Sequence, residues 1–164
     1  MPDNNPSITL RPAEVRDAGV ILSFITELAA YEKLSHEVVA TEDAIREHLF
    51  CERPVVEAII AEYDDVPAGF ALFFHSFSTF LGRTGIYLED LYVTVDLRGK
   101  GIGKALLKRL AEIATERGCG RVEWAVLDWN EPAIQFYQSI GAAPMAEWQT
   151  YRLAGSALRD FAGE

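Results

Sequence analysis

Arg98-Gly99-Lys100-Gly101-Ile102-Gly103-Lys104 is the stretch that decides this fold. Three glycines at alternate positions follow a strand-like run, Ile86 to Val95. They open a helical run in which Ile102, Leu106, Leu107, Leu110 and Ile113 share one face. Backbone N–H groups at a helix start, unobstructed by side chains, can cradle an anion. Arg98, Lys100, Lys104, Lys108 and Arg109 add positive charge nearby, and a pyrophosphate is the natural guest. The competing reading is a flexible start to a helix with solvated lysines. Two nucleotide motifs fail. A P-loop would need Gly where Arg98 stands and a hydroxyl where Ala105 stands, and the dinucleotide fingerprint needs a longer last spacing than Gly101-x-Gly103.

Working outward, Ile8-Thr9-Leu10 reads as a short strand, and Asp17 as the cap of a helix carrying Val20, Ile21, Phe24, Ile25 and Leu28. Tyr31 to Ala40 has no period and reads as a loop, and Thr41 caps a second short helix. Val55 to Tyr63 and Ala68 to Ser76 form a hairpin around Asp64-Asp65, and Gly82 and Gly85 bracket the next turn. After the glycine-loop helix, closed by Gly118 and Gly120, come a strand at Arg121 to Leu127, a helix capped by Asn130 and closed by Gly141, and a strand at Glu147 to Leu153. That order is α/β: a mixed, mostly antiparallel sheet of about six or seven strands, flanked by helices, in one domain spanning 1–164 with its core at about 8–153.

A chain of 164 residues suits a single domain and is long enough to bury a full core. The net charge of −10 argues against a nucleic-acid or anionic-membrane partner. That charge is uneven: residues 31–65 carry −7, whereas 66–110, which hold the glycine loop, carry +3. The longest apolar run, Val66 to Phe74, has nine residues, and a membrane helix needs about 20. Met1 to Pro6 lacks a signal-peptide core, so Cys51 and Cys119 are expected as reduced thiols in a cytoplasmic protein. His48 and Cys51 alone make no metal site, so no metal is expected.

Arg98-x-x-Gly101-x-Gly103 between a long strand and a helix resembles the coenzyme A pyrophosphate loop of the GNAT family of N-acetyltransferases. Arg11-Pro12 followed by Asp17 resembles the family's opening. Asn130-Glu131-Pro132-Ala133-Ile134-Gln135-Phe136-Tyr137 followed by Gly141 resembles its last motif. Leu28-Ala29-Ala30-Tyr31-Glu32, Tyr87-Leu88-Glu89-Asp90-Leu91-Tyr92-Val93 and Trp129-Asn130-Glu131-Pro132 together resemble the branch that acetylates spermidine, spermine and thialysine.

The resemblance implies an acetyl-CoA-dependent N-acetyltransferase, coenzyme A being the product. The acceptor would be a small cationic amine (a diamine, a polyamine or a lysine analogue such as thialysine), attacking directly in a ternary complex. Another amine, such as an amino acid, an aminoglycoside or a protein N-terminus, is the alternative; so is an acyl-CoA-binding module without turnover. The resemblance also implies a homodimer.

Acetyl transfer requires a neutral amine, yet an alkylamine is only about one part in a thousand neutral at pH 7. Glu89, a carboxylate among apolar strand residues, is the candidate base. A straight strand puts it on the face of Tyr87, Leu91 and Val93; Asp90 then lies opposite with Leu88 and Tyr92, as a structural or second cation contact. By resemblance, Tyr137 protonates the leaving sulfur. The same likeness places Leu91, Tyr92, Val93, Arg98, Gly99, Lys100, Gly101, Ile102, Gly103, Lys104, Asn130, Glu131, Pro132, Ala133 and Tyr137 at the cofactor. Tyr31, Glu32, Glu89, Glu123, Trp124 and Ala125 fall at the amine.

Overall fold

The computed structural model describes residues 7–164, so the terminal segment read for a signal peptide, Met1 to Pro6, lies outside the described residues. Residues up to Ala125 form one compact unit and Val126–Glu164 a second.

The first unit is built on a five-stranded sheet in sequential order. Strands β1 (Ile8–Pro12), β2 (Glu57–Tyr63), β3 (Val66–Ser78) and β4 (Arg83–Val93) pair antiparallel, and the two-residue β5 (Val122–Glu123) runs parallel to β4. Asp64 and Asp65 both take positive φ, 50° and 64°, which matches the twist a two-residue hairpin needs. Gly85 does not sit in a turn. It is buried inside β4 opposite Ser76, and the turn falls at 79–82.

Helices α1 (Ala18–Tyr31) and α2 (Glu42–Leu49) cover one face of the sheet, where Ile21, Phe24, Ile45, Ile60, Phe70 and Tyr92 form a core. The Phe24 ring lies 5.6 Å from Phe70 and 5.9 Å from Tyr92. Removing a ring this buried costs about 3–5 kcal/mol. Thr41 caps α2 as expected, its Oγ1 accepting from Ala44 N–H at 3.2 Å. Asp17 does not cap α1 with its side chain. Its carboxylate accepts from the Glu14 N–H and from both terminal nitrogens of Arg11, whose Nε donates to Glu62. The Arg11 guanidinium holds the Asp17 carboxyl below the usual range.

Helix α3 (Ile102–Glu116) covers the other face with Ile102, Leu106, Leu107, Leu110 and Ile113 buried, as the spacing predicts. Gly118, at φ 67°, ends it, with Cys119 N–H reaching back to Ala114 O. At that end Arg117 lies across Glu57 and His75, 2.6 Å from a Glu57 oxygen.

The second unit holds α4 (Glu131–Ser139) and α5 (Gly155–Ala162). Two expected strands are corrected here. The run Arg121 to Leu127 pairs with β4 at only two residues. Glu147 to Leu153 forms no strand; Trp148 and Tyr151 are largely exposed, and a strand without a ladder partner does not hold. The described residues therefore hold five strands where six or seven were expected. Helix α5 was not anticipated, although Leu158, Phe161 and Ala162 recur at helical spacing and Gly163 closes it at φ 84°.

Candidate active site

The glycine loop takes the conformation its composition suits. Gly99 and Gly101 have φ of 77° and 88°, and a Cβ at either would meet nothing within 4 Å, so open space lies over the loop. The first internal bond of α3 runs from Ala105 N–H to Gly101 O, leaving the N–H groups before it directed out of the helix start. Lys100 and Lys104 are exposed beside them, Lys100 5.3 Å from the Tyr63 ring. The other cations are engaged. Lys108 and Arg109 pair with Glu112 and Glu116 on their own helix. Arg98 folds back: its Nε donates to Val93 O at 3.1 Å and its guanidinium lies over the Tyr31 ring at 4.5 Å and near Tyr92 at 5.5 Å. Tyr92 in turn donates to Glu27 at 2.7 Å, and burial with that bond pushes its hydroxyl up to about 12. Glu27 and this bracing role are absent from the sequence reading.

A β-bulge in β4 governs the second half of the site. Phe73 pairs with Leu88 and Leu72 with Asp90, so Glu89 is the extra residue. Paired residues share a face, so the bulge turns Asp90 and Tyr92 onto the α1 side with Leu72, Phe70, Phe74 and Tyr87, and leaves Leu88 on the α3 side. The straight-strand assignment of faces is thereby corrected. Glu89 is exposed, so it carries little burial cost, and the half-buried carboxylate is Asp90. Burial, then the charges of Glu89 and Glu32, push Asp90 up to about 6. Burial raises Glu32, at the C-terminal cap of α1. Burial, with Glu89 and Glu123, raises the Tyr87 hydroxyl as well. Glu32, Glu89, Asp90 and Glu123 thus act on one stretch of β4, although they come from three separate segments.

Beyond the bulge, β4 offers backbone. Its pairing with β5 stops at Tyr87 opposite Glu123, while Leu88 to Val93 continues along β3. Among the described residues, the other edge of Leu91, Tyr92 and Val93 carries no strand. Gly69 permits the close pairing there, since a Cβ on it would meet Tyr92 O at 2.4 Å. Trp124 is half-buried and Ala125 exposed just past β5. Asn130, Glu131, Pro132, Ala133 and Tyr137 all lie in the second unit. Asn130 occupies the N-cap of α4, Pro132 its first turn, and Tyr137 is half-buried with its ring 5.8 Å from Phe136.

Known proteins similar to this chain place it in a family. Residues 25–142 match the model of the acetyltransferase (GNAT) family. The thialysine N-epsilon-acetyltransferase of Sus scrofa is 40% identical over 96% of this chain and 99% of its own. The L-ornithine N5-acetyltransferase of Arabidopsis thaliana is 33% identical over 92% of this chain and 86% of its own. Among solved structures, an integron cassette protein from the mobile metagenome of V. cholerae superposes with a TM-score of 0.80 at 31% identity, over 96% of this chain and 99% of that one. A glycine-opened helix beside a bulged, half-open strand, with these relatives, means that the chain belongs to the acetyltransferase (GNAT) family and is an N-acetyltransferase.

Proposed function

We propose that this chain is one acetyltransferase domain that uses acetyl-CoA to acetylate a primary amine of a small cationic acceptor: a diamine, a polyamine or a lysine analogue such as thialysine. The observation that carries the acceptor class is the group of carboxylates at the β4 bulge. Four acidic side chains acting on one site, one of them pushed up to about 6, suit a ligand that arrives with positive charge. The names of the relatives from Sus scrofa and Arabidopsis thaliana support amines of this kind.

The open glycine loop, the start of α3 and the exposed Lys100 and Lys104 fit the pyrophosphate of coenzyme A. When bound, acetyl-CoA supplies the thioester whose acetyl carbon is attacked. The edge of Leu91, Tyr92 and Val93 offers backbone groups to the pantetheine arm and an N–H donor for the developing oxyanion. Glu89 and Asp90 hold the acceptor ammonium, and Glu89 takes its proton, directly or through water, so that the nitrogen can attack. The new C–N bond would form as the C–S bond breaks; Tyr137 would give its proton to the departing sulfur and be reprotonated, through water, by the second proton that the nitrogen sheds on becoming the amide. All partners are held at once, in a ternary complex, and no covalent enzyme intermediate is needed. A homodimer and a cytoplasmic setting, consistent with the unpaired thiols of Cys51 and Cys119, belong to the same proposal.

A thiol-release assay against a panel of amines tests it. Saturable turnover with basic diamines or lysine analogues is expected. Tight acetyl-CoA binding without turnover on any amine points to a binding module instead, and turnover confined to aminoglycosides or protein N-termini overturns the acceptor class.

A further inference from the structure

No local sequence pattern gives Arg121 a role, yet the structure ties it to Glu123 and to β4. Its backbone is locked to β4, where Ile86 N–H donates to Arg121 O at 3.0 Å and Gly120 N–H to Thr84 O at 2.9 Å. Its side chain runs on the same face as Glu123, two residues on, and its Nε lies 2.7 Å from Glu123 Oε1. Gly85 makes room for it. A Cβ there would come within 3.5 Å of Arg121 Cγ and 3.2 Å of Arg121 O. Beneath the same spot lies Ser76 Oγ, a buried polar atom with no hydrogen-bond partner among the described residues.

An arginine whose Nε meets a carboxylate still presents its two terminal nitrogens as a fork, the shape that fits a second carboxylate. Beside it, Glu123 can take an ammonium. Together the pair is complementary to a zwitterion. Tyr87, opposite Glu123, stands three residues from Asp90 along β4, a distance of about 10 Å at the usual strand rise and less across a bulge. That separation matches an extended basic amino acid, with its side-chain ammonium among the bulge carboxylates and its α-carbon head group at the pair.

We infer that Arg121 and Glu123 read the α-carboxylate and α-ammonium of a free basic amino acid, so the acceptor is such an amino acid rather than an α,ω-diamine. This rests on the proposed amine acetyltransferase activity and narrows it. A diamine of the same chain length satisfies the bulge carboxylates but leaves the guanidinium fork without a ligand. Acetyl transfer goes to the side-chain nitrogen, because that is the end delivered to the bulge.

The experiment uses matched pairs: lysine with cadaverine, ornithine with putrescine, and thialysine with its decarboxylated diamine. Each is assayed by thiol release in the full-length protein. The expected result is a kcat/KM at least about tenfold higher for the amino acid of a pair. In Arg121→Ala that preference should collapse by about 10- to 100-fold through KM, the size of a lost charge-assisted hydrogen bond. Arg121→Lys should recover part of it. The diamine measured on the same sample controls for folding. Wild-type preference for the diamine, or a ratio that Arg121→Ala leaves intact, overturns the inference while the amine acetyltransferase proposal stands. No turnover with either member of any pair overturns both.

Discussion

The start of α3 and the bulge of β4 are the two charged ends of one small unit, and they are made differently. At the start of α3 the groups proposed to recognise the cofactor are backbone N–H donors. They come from contiguous residues, and most nearby cations are already occupied: Arg98 by Tyr31 and Val93, Arg109 by Glu112 and Glu116. At the bulge the groups proposed to recognise the acceptor are side chains gathered from the end of α1, β4 and β5. The first is a local property of a short sequence; the second exists only after the sheet has formed. On the proposed function, an anionic ligand is met by geometry and a cationic one by concentrated charge, and each should respond to its own class of substitution.

Tyr137, in the second unit, belongs to neither end and gives the largest expected change. Tyr137→Phe should lower kcat about 100-fold or more and alter acetyl-CoA affinity by less than about threefold; a wild-type kcat removes it as the acid. Asp17→Asn tests whether both ends depend on one scaffold. It breaks a nearly buried ion pair with Arg11 and should cost about 3 kcal/mol in urea unfolding at pH 7. Asp17 is held below its ordinary range, so its stabilisation is present above the unfolded value near 4 and is lost as pH falls through the lower folded value. Wild type should therefore lose its advantage over the variant in acid, and an advantage that persists there contradicts this.

Gly101→Val forces a branched residue to φ 88°, a cost of about 1–2 kcal/mol. It should weaken acetyl-CoA binding roughly tenfold while the amine KM at saturating acetyl-CoA changes little. Equal losses on both substrates would erase the distinction between the ends. The smallest effect is a pH profile. Asp90 is raised to about 6, so amine kcat/KM should gain a few-fold as pH climbs through that value and Asp90 ionises. The sign for stability is opposite: the raised carboxyl favours the folded state below about 4, and that benefit is lost as pH rises through about 6. Asp90→Asn should accordingly be more stable than wild type at pH 7, by about 1–3 kcal/mol, and should flatten the profile.

The contrast also explains what could be read in advance. The glycine loop, α3 and its buried face follow from neighbouring residues and were legible. The bulge was not, because strict alternation from Tyr87 to Val93 assigns faces that one unpaired residue, Glu89, reverses beyond it. With it went the weight given to Asp90, which a straight strand turns away from Tyr87. The resemblance implies Glu123, but its place beside Tyr87 and Arg121 depends on a two-residue parallel pairing that no local pattern marks. Glu147 to Leu153 has the composition of a strand, yet a strand is a property of its partners.

The double variant Glu32→Gln, Asp90→Asn separates the proposed acceptor site at the bulge from the proposed cofactor site at the glycine loop. Acceptor KM and acetyl-CoA Kd should be measured on the same preparation. Acceptor KM should rise by about 100-fold, as expected for two lost charge-assisted contacts, while acetyl-CoA Kd stays within about threefold. An unchanged acceptor KM, or the same loss in both constants, contradicts it.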